Sequence, residues 1–308
     1  MKFKKIIAVI ATVAIVAGMA VGCGKTTDSA NDSVDAESTA QAEDFDTSSD
    51  ITIVSREDGS GTRGAFIELF GIEEKDADGN KVDNTTEDAQ ITNSTSVMLT
   101  TVAGDDYAIG YVSLGALNDS VKALKIDGVE ATAENIKSGD YKVSRPFNIA
   151  TKKDLDNEVA EDFISFIMST EGQAVVEENG YIAVDNVSAY SGTAPSGKAV
   201  VGGSSSVSPV MEKLIEAYKK VNANADIELQ TTDSTTGMTS TIDGSYDIGM
   251  ASRELKDDEA SELEATVIAT DGIAVVVNKN NTTDDLSVDQ VKNIYIGEAL
   301  TWDDVLDM

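Results

Sequence analysis

The 308-residue sequence contains no histidine, one cysteine and few cations. Without imidazole there is no histidine base, no histidine-ligated metal and no nucleophile activated in the serine–histidine–aspartate manner. The lone Cys23 makes neither an internal disulfide nor a thiolate zinc cluster. Lys and Arg total 23 against 55 Asp and Glu, giving a formal net charge of −32. Such a chain lacks the basic surface that displaces counterions, which excludes a nucleic-acid-binding domain. The phosphate-cradling GxxxxGK[ST] and nucleophile-elbow GxSxG patterns are missing, and Ser60 in EDGSGTR has no histidine base. At 41% hydrophobic and 25% charged residues, the composition is that of a globular protein long enough for two domains.

What is present begins at the amino terminus. Lys2, Lys4 and Lys5 precede the apolar run IIAVIATVAIVAGMAV, which ends in Gly22-Cys23-Gly24. The segment resembles a bacterial lipoprotein signal over residues 1–22, although Ala20 stands where such signals usually carry leucine. It predicts cleavage before Cys23, lipidation of that thiol and a lipid-anchored location on the extracytoplasmic face of the cell membrane; read alone, the run also suits a short membrane anchor. Residues 23–50 read as a disordered acidic tether, since Thr26–Asp50 has eight acidic residues, no basic ones and no apolar periodicity. From Ile51 onward there are 47 acidic and 19 basic residues, so the folded body is acidic in its own right.

That body alternates strand-like and helix-like runs, which predicts an α/β fold with helices on the faces of parallel or mixed sheets. ITIVS and GIAVVVNKNN read as strands, and Asn157–Met168 as a helix with Val159, Phe163 and Phe166 on one face. Ser208-Pro209 marks a helix start, Ser287 with Gln290 a capping box, and Asp76–Asn80 the turn of an exposed hairpin. Residues 187–198, VSAYSGTAPSGK, read as a linker between two halves.

The chemistry lies in the corners after strands. Ser55–Arg63 places Arg56 at a strand end, followed by Gly59, Ser60, Gly61 and Thr62 at a helix start, where unpaired backbone N–H groups and partial positive charge make an anion socket. Arg56 adds a two-pronged donor and Asp58 is placed to orient it or to accept a proton from a ligand oxygen. Gly202–Ser206 and Thr232–Gly237 repeat the arrangement, so three hydroxyl-rich corners are available to one ligand.

SREDGSGTRGAF, ITNSTSVMLTTVAGDDYAIGYVSLG, GDYKVSRPF, FISFIMSTEGQAVV, GGSSSVSPVMEKL, DIGMASRELK, TDGIAVVVNKNN and QVKNIYIGEALTWDDV together resemble the PstS-like phosphate-binding lipoproteins of ABC importers, over nearly the whole chain from Ile51. The resemblance implies a two-lobed periplasmic-binding-protein-like (type II) α/β fold with an anion cleft between lobes. It also implies capture of inorganic phosphate for permease subunits by a monomer, without catalysis, cofactor or metal. Carried over residue by residue, the binding set is Arg56, Ser60, Gly61, Thr62, Ser206, Val207 and Ser234, supported by Ser205 and Ser252, with Asp58, Arg253 and Asp271 bearing on selectivity. Some relatives place an aspartate where Arg253 stands, so discrimination of hydrogen phosphate from sulfate passes here to Asp58, Asp271 or hydroxyl geometry. Family members generally begin with the GSSxxxxP segment, whereas here RxDGSGT comes first; the order is that of a circular permutation joined through 187–198. On this reading one lobe comprises residues 51–114 plus 271–308 and the other 115–270. Alternative readings are a binding protein for sulfate or molybdate, and a surface sensor or adhesion protein that kept the fold.

Overall fold

The computed structural model describes residues 45–306. The signal segment 1–22, the Cys23 lipidation site and the tether as far as residue 44 lie outside the described residues.

The chain enters as a clip against the core. Phe45 packs its ring 5.2 Å from that of Tyr107 and 6.0 Å from that of Trp302, and Asp303 N donates to Thr47 O at 2.7 Å. Asp50 bridges Thr301. Residues 45–50, expected as the end of the tether, therefore pack on the core, because Phe45 supplies an aromatic ring that polar neighbours do not.

The first elements are β1 (Thr52–Arg56), α1 (Gly61–Leu69), the hairpin β2 (Glu73–Lys75) and β3 (Lys81–Asp83), β4 (Gln90–Thr92), α2 (Thr95–Ala103) and β5 (Ala108–Ser113). After a 3-10 turn at Leu114–Ala116 come β6 (Lys122–Ala123), β7 (Lys125–Ile126), α3 (Ala133–Ser138) and the long β8 (Ser144–Lys152). Then follow α4 (Glu158–Ile167), α5 (Thr170–Glu178), β9 (Gly197–Ser204), α6 (Ser208–Val221), β10 (Ala225–Thr232), α7 (Ser234–Ile242), β11 (Ile248–Ala251) and α8 (Asp257–Glu262). The chain closes with the 15-residue β12 (Leu263–Val277), β13 (Asp285–Leu286), α9 (Val288–Tyr295) and α10 (Trp302–Leu306). Pro209 lies in the first turn of α6, where a missing N–H costs nothing, and Ser287 and Gln290 form the reciprocal capping box of α9. In the hairpin turn Asp76 accepts from the backbone of Asp78 and Asn80.

Nine strands among the described residues form one sheet, ordered β10-β9-β11-β8-β12-β5-β1-β4 with β6 on the side of β12. Two large hydrophobic cores share it, and a small third cluster gathers Ala150, Met238, Ala251 and Leu263. One gathers residues from Ile51 to Val143 and from Ile273 to Val305; the other gathers residues from Phe147 to Ala269. β12 joins them: through Gly272 it pairs antiparallel with β8, and from Ile273 it pairs with β5. The chain crosses a second time between Val143 and Ser144, where Ile273 N donates to Val143 O. The boundary drawn from the sequence at 114/115 is thus displaced. Val121, Leu124, Ile126, Ile136 and Tyr141 pack in the first core, because β6 pairs with β12 and β7 with β13 from the carboxy-terminal segment.

The linker 187–198 is pinned rather than loose. Buried Asp162 in α4 accepts from Tyr190 Oη and Tyr218 Oη, both at 2.6 Å, and from Thr193 N at 2.8 Å. Asn222 Nδ2 donates to Pro195 O at 2.9 Å.

Candidate functional site

The end of β1 is held from beneath by aromatic packing. The Tyr111 ring stacks on Phe66 at 3.9 Å, and its hydroxyl bonds Ser55 Oγ at 2.9 Å while accepting from Arg56 N at 3.1 Å. Burial pushes that phenol up to about 12, which keeps it protonated. Tyr295 Oη donates to Val54 O. The strand end is fixed, and with it the root of Arg56.

Arg56 is 2% exposed. Its Nε and Nη2 donate to the two Glu57 carboxylate oxygens, both at 2.7 Å; Nη2 also reaches Ser205 Oγ at 3.2 Å and Nη1 reaches Thr95 Oγ1 at 3.4 Å. Arg63 braces the corner by donating to Arg56 O at 2.7 Å while gripping Asp83. Asp58 pairs with Arg63 at 3.1 Å and its side chain is 97% exposed. The role of orienting Arg56, expected of Asp58, therefore falls to Glu57: Asp58 points outward to Arg63.

Across from this corner stand the serines of the other core. Thr62 Oγ1 bonds Ser206 Oγ at 2.8 Å, and Thr95 Oγ1 lies 3.2 Å from Ser205 Oγ and 3.3 Å from Ser206 Oγ. Ser204 Oγ donates to Ser252 Oγ at 2.9 Å, and Ser252 N donates to Ser234 Oγ at 3.1 Å. All of these hydroxyl residues are buried. The approach requires glycine: a Cβ at Gly59 would overlap the Asp233 carboxylate, and one at Gly61 would meet the Ser234 and Ser252 hydroxyls. Thr235 seals the rim by donating from N and Oγ1 to Gly59 O, both at 3.2 Å.

The predicted residues thus divide clearly. Arg56, Gly61, Thr62, Ser205, Ser206, Ser234 and Ser252 come together. Ser60 lies at the same corner, but its hydroxyl accepts from Arg63 N as the cap of α1. Val207 begins the turn into α6 with its amide committed to Ser204 O at 3.0 Å. Arg253 is turned to the rim, pairing two-pronged with Glu259 at 2.7 and 2.8 Å and donating to Thr235 Oγ1. Asp271 belongs to a separate buried pair with Arg145, at 3.2 Å. Ser204 belongs to the Gly202–Ser206 corner read from the sequence, whereas the parts of Thr95 and Glu57 are new. The segment NSTS, a capping serine followed by threonine, carried the signal for Thr95, since Ser94 caps α2 and Thr95 is its first residue.

Four helices, α1, α2, α6 and α7, therefore start around one set of buried donors. Their amino-terminal partial charges, five or more hydroxyls and a guanidinium suit an oxyanion with oxygens in several directions. Such a set suits an anion held by groups that come from both cores.

Fold and site define a solute-binding protein of the two-lobed type. The family model of the PBP superfamily domain matches residues 3–171 and 188–307, and the chain belongs to that superfamily and, within it, to the PstS-like phosphate-binding proteins of ABC transporters. It is 64% identical over 256 residues to the phosphate-binding protein PstS 2 of Streptococcus agalactiae, covering 83% of this chain and 87% of the relative. It is 44% identical over 306 residues to PstS 2 of Streptococcus pneumoniae, covering 99% of this chain and all of the relative. The end-to-end match shows that this relative has the same order of segments. The crystal structure of a phosphate-binding protein of a phosphate ABC transporter from S. pneumoniae superposes with a TM-score of 0.66 at 46% identity, covering 83% of this chain and 100% of that one.

Proposed function

We propose that the protein captures inorganic phosphate between its lobes and delivers it to the permease of an ABC importer. The observation that carries this reading is the direct meeting of donors from both cores: Thr62 with Ser206 at 2.8 Å and Arg56 with Ser205 at 3.2 Å. An anion seated among these groups draws the lobes together, because each makes bonds only the closed arrangement supplies. Arg56, the amides of Gly61 and Thr62, and the hydroxyls of Thr62, Thr95, Ser205, Ser206 and Ser234 form the binding set. Glu57, bonded to Arg56, takes the part first given to Asp58, offering an acceptor that favours a protonated phosphate over fully ionised sulfate. The two lobes follow the two cores, 51–143 plus 273–306 and 144–272, with the segment order permuted relative to family members that begin with the GSSxxxxP segment and the join at 187–198. A lipid on Cys23 holds the protein, as a monomer, at the extracytoplasmic membrane surface.

Calorimetric titration of phosphate, sulfate and molybdate into the purified protein tests the ligand. Preference for sulfate or molybdate would replace phosphate as the substrate, and heat from none of them would remove the binding role.

A further inference from the structure

The crossover between the cores contains a buried polar group that the anion site does not use. Arg145 on β8 and Asp271 on β12 face each other in register, one residue before Gly272, after which β12 changes partner from β8 to β5. Both are buried, and a single contact joins them, Nη2 to Oδ2 at 3.2 Å. Arg145 Nε and Nη1, Asp271 Oδ1, Ser113 Oγ and Tyr181 Oη are all buried and have no partner in good hydrogen-bonding geometry, although Ser113 and the Gly115 amide lie near enough to Asp271 to favour its charged form. The Phe147 ring, 5.5 Å below Arg145 Cζ, offsets part of the cation's lost hydration.

These groups come from both lobes. Ser113 ends β5 in the first core, paired with Ile273; Tyr181 belongs to the second, anchored by the backbone bridge of Ile182 to Thr270. Asp271 has Arg145, Ser113 and the Gly115 amide as polar neighbours, and Tyr181 has Ser113, Asp271 and Arg145. Gly115 lies directly against the Tyr181 ring, where an added Cβ would overlap it. The hinge is therefore packed tightly in shape and left short of partners in polarity.

Buried polar atoms without partners are costly, and they regain partners when water enters. We propose that the Ser113–Tyr181–Arg145–Asp271 group is an opening spring at the hinge, which penalises the closed lobes so that closure depends on the anion and release follows readily. The inference rests on the anion-binding reading of the cleft. It makes Tyr181 and Ser113 affinity-setting residues that touch no ligand, acting through the population of the closed state.

The consequence is counterintuitive, since deleting a hydroxyl strengthens binding. Tyr181→Phe keeps the ring against Gly115 and Phe147 but removes the unpaired oxygen; Ser113→Ala removes the other. Each is expected to tighten phosphate binding about threefold to tenfold by calorimetry, slow dissociation in stopped flow, and lower the radius of gyration of the ligand-free protein. Gly115→Ala wedges the Tyr181 ring away and is expected to do the opposite, weakening binding about tenfold and raising that radius. A purely structural role would move the melting temperature and leave affinity and radius alone. Unchanged or weaker phosphate affinity in both folded hydroxyl deletions, with an unchanged radius, would overturn the spring. The wild-type titration reads the phosphate assignment separately, and ligand-free scattering ranks the variants whatever anion the cleft takes.

Discussion

Thr62 and Ser206 share a hydroxyl–hydroxyl hydrogen bond of 2.8 Å across 144 positions of sequence, one at the start of α1 and the other at the turn into α6. Neither hydroxyl is needed to hold its own lobe, so each is available to a shared ligand. Ser206→Ala is expected to weaken phosphate binding about 10- to 100-fold, the worth of one hydrogen bond to a charged group, while the ligand-free melting temperature stays within a few degrees. Calorimetry paired with thermal melts checks both halves.

The corner of Arg56 makes three neighbouring substitutions separable. Arg56→Lys keeps the charge and loses the fork, and should weaken phosphate about 10-fold or more. Glu57→Gln leaves a buried guanidinium without its counter-charge; the free protein should melt several degrees lower, and the rise on adding phosphate should widen as the anion supplies the missing charge. Asp58→Asn should change neither affinity nor the phosphate-to-sulfate ratio, because its carboxylate is 97% exposed and bound to Arg63. A fall in that ratio for Asp58→Asn, with none for Glu57→Gln, would reverse the assignment.

These assignments mark where the sequence was legible and where it stopped. Local chemistry was readable: Ser208-Pro209 and the Ser287–Gln290 box start helices wherever they occur, and glycine–hydroxyl corners after strands point to an anion. The choice of Glu57 over Asp58 was not, because it depends on Arg63, which Asp83 of the hairpin draws outward to meet Asp58. Thr95 joins the site only because β4 pairs with β1 and delivers the start of α2 there. Arg145 sits at the start of β8 in SRPF without any periodic signal; its partner lies 126 positions away, set by the pairing of two crossover strands. The lobe boundary was misplaced for the same reason, since short strands declare their partners only in three dimensions.

The segment 187–198 is held in large part by one carboxylate. Asp162→Ala strands the Tyr190 and Tyr218 hydroxyls and Thr193 N, and should cost about 3 kcal/mol in urea unfolding. It should also open the linker to limited proteolysis while leaving phosphate affinity within twofold. A loss below about 1 kcal/mol would show that the linker is held by its other contacts.

Burial pushes Asp271 up to about 6 from an ordinary 3.8, with Arg145 opposing the shift and Ser113 and the Gly115 amide assisting Arg145. Tyr181, the other titratable neighbour, is pushed upward and stays neutral. Between pH 4 and 6 the folded chain keeps a proton that the unfolded chain has lost, so this group's contribution to stability declines as pH rises through that window and is level above it. Thermal melts of wild type and Asp271→Asn from pH 4 to 8 should diverge across the window and run parallel above it. Curves parallel throughout would show that Asp271 titrates at its ordinary value.

The central claim is that donors of both lobes close on one phosphate. Isothermal titration of phosphate into wild-type protein, with sulfate at matched ionic strength beside it, tests this most directly. The account predicts one phosphate per chain and sulfate weaker by about 100-fold or more. Absence of phosphate binding, or sulfate bound as tightly, would contradict it.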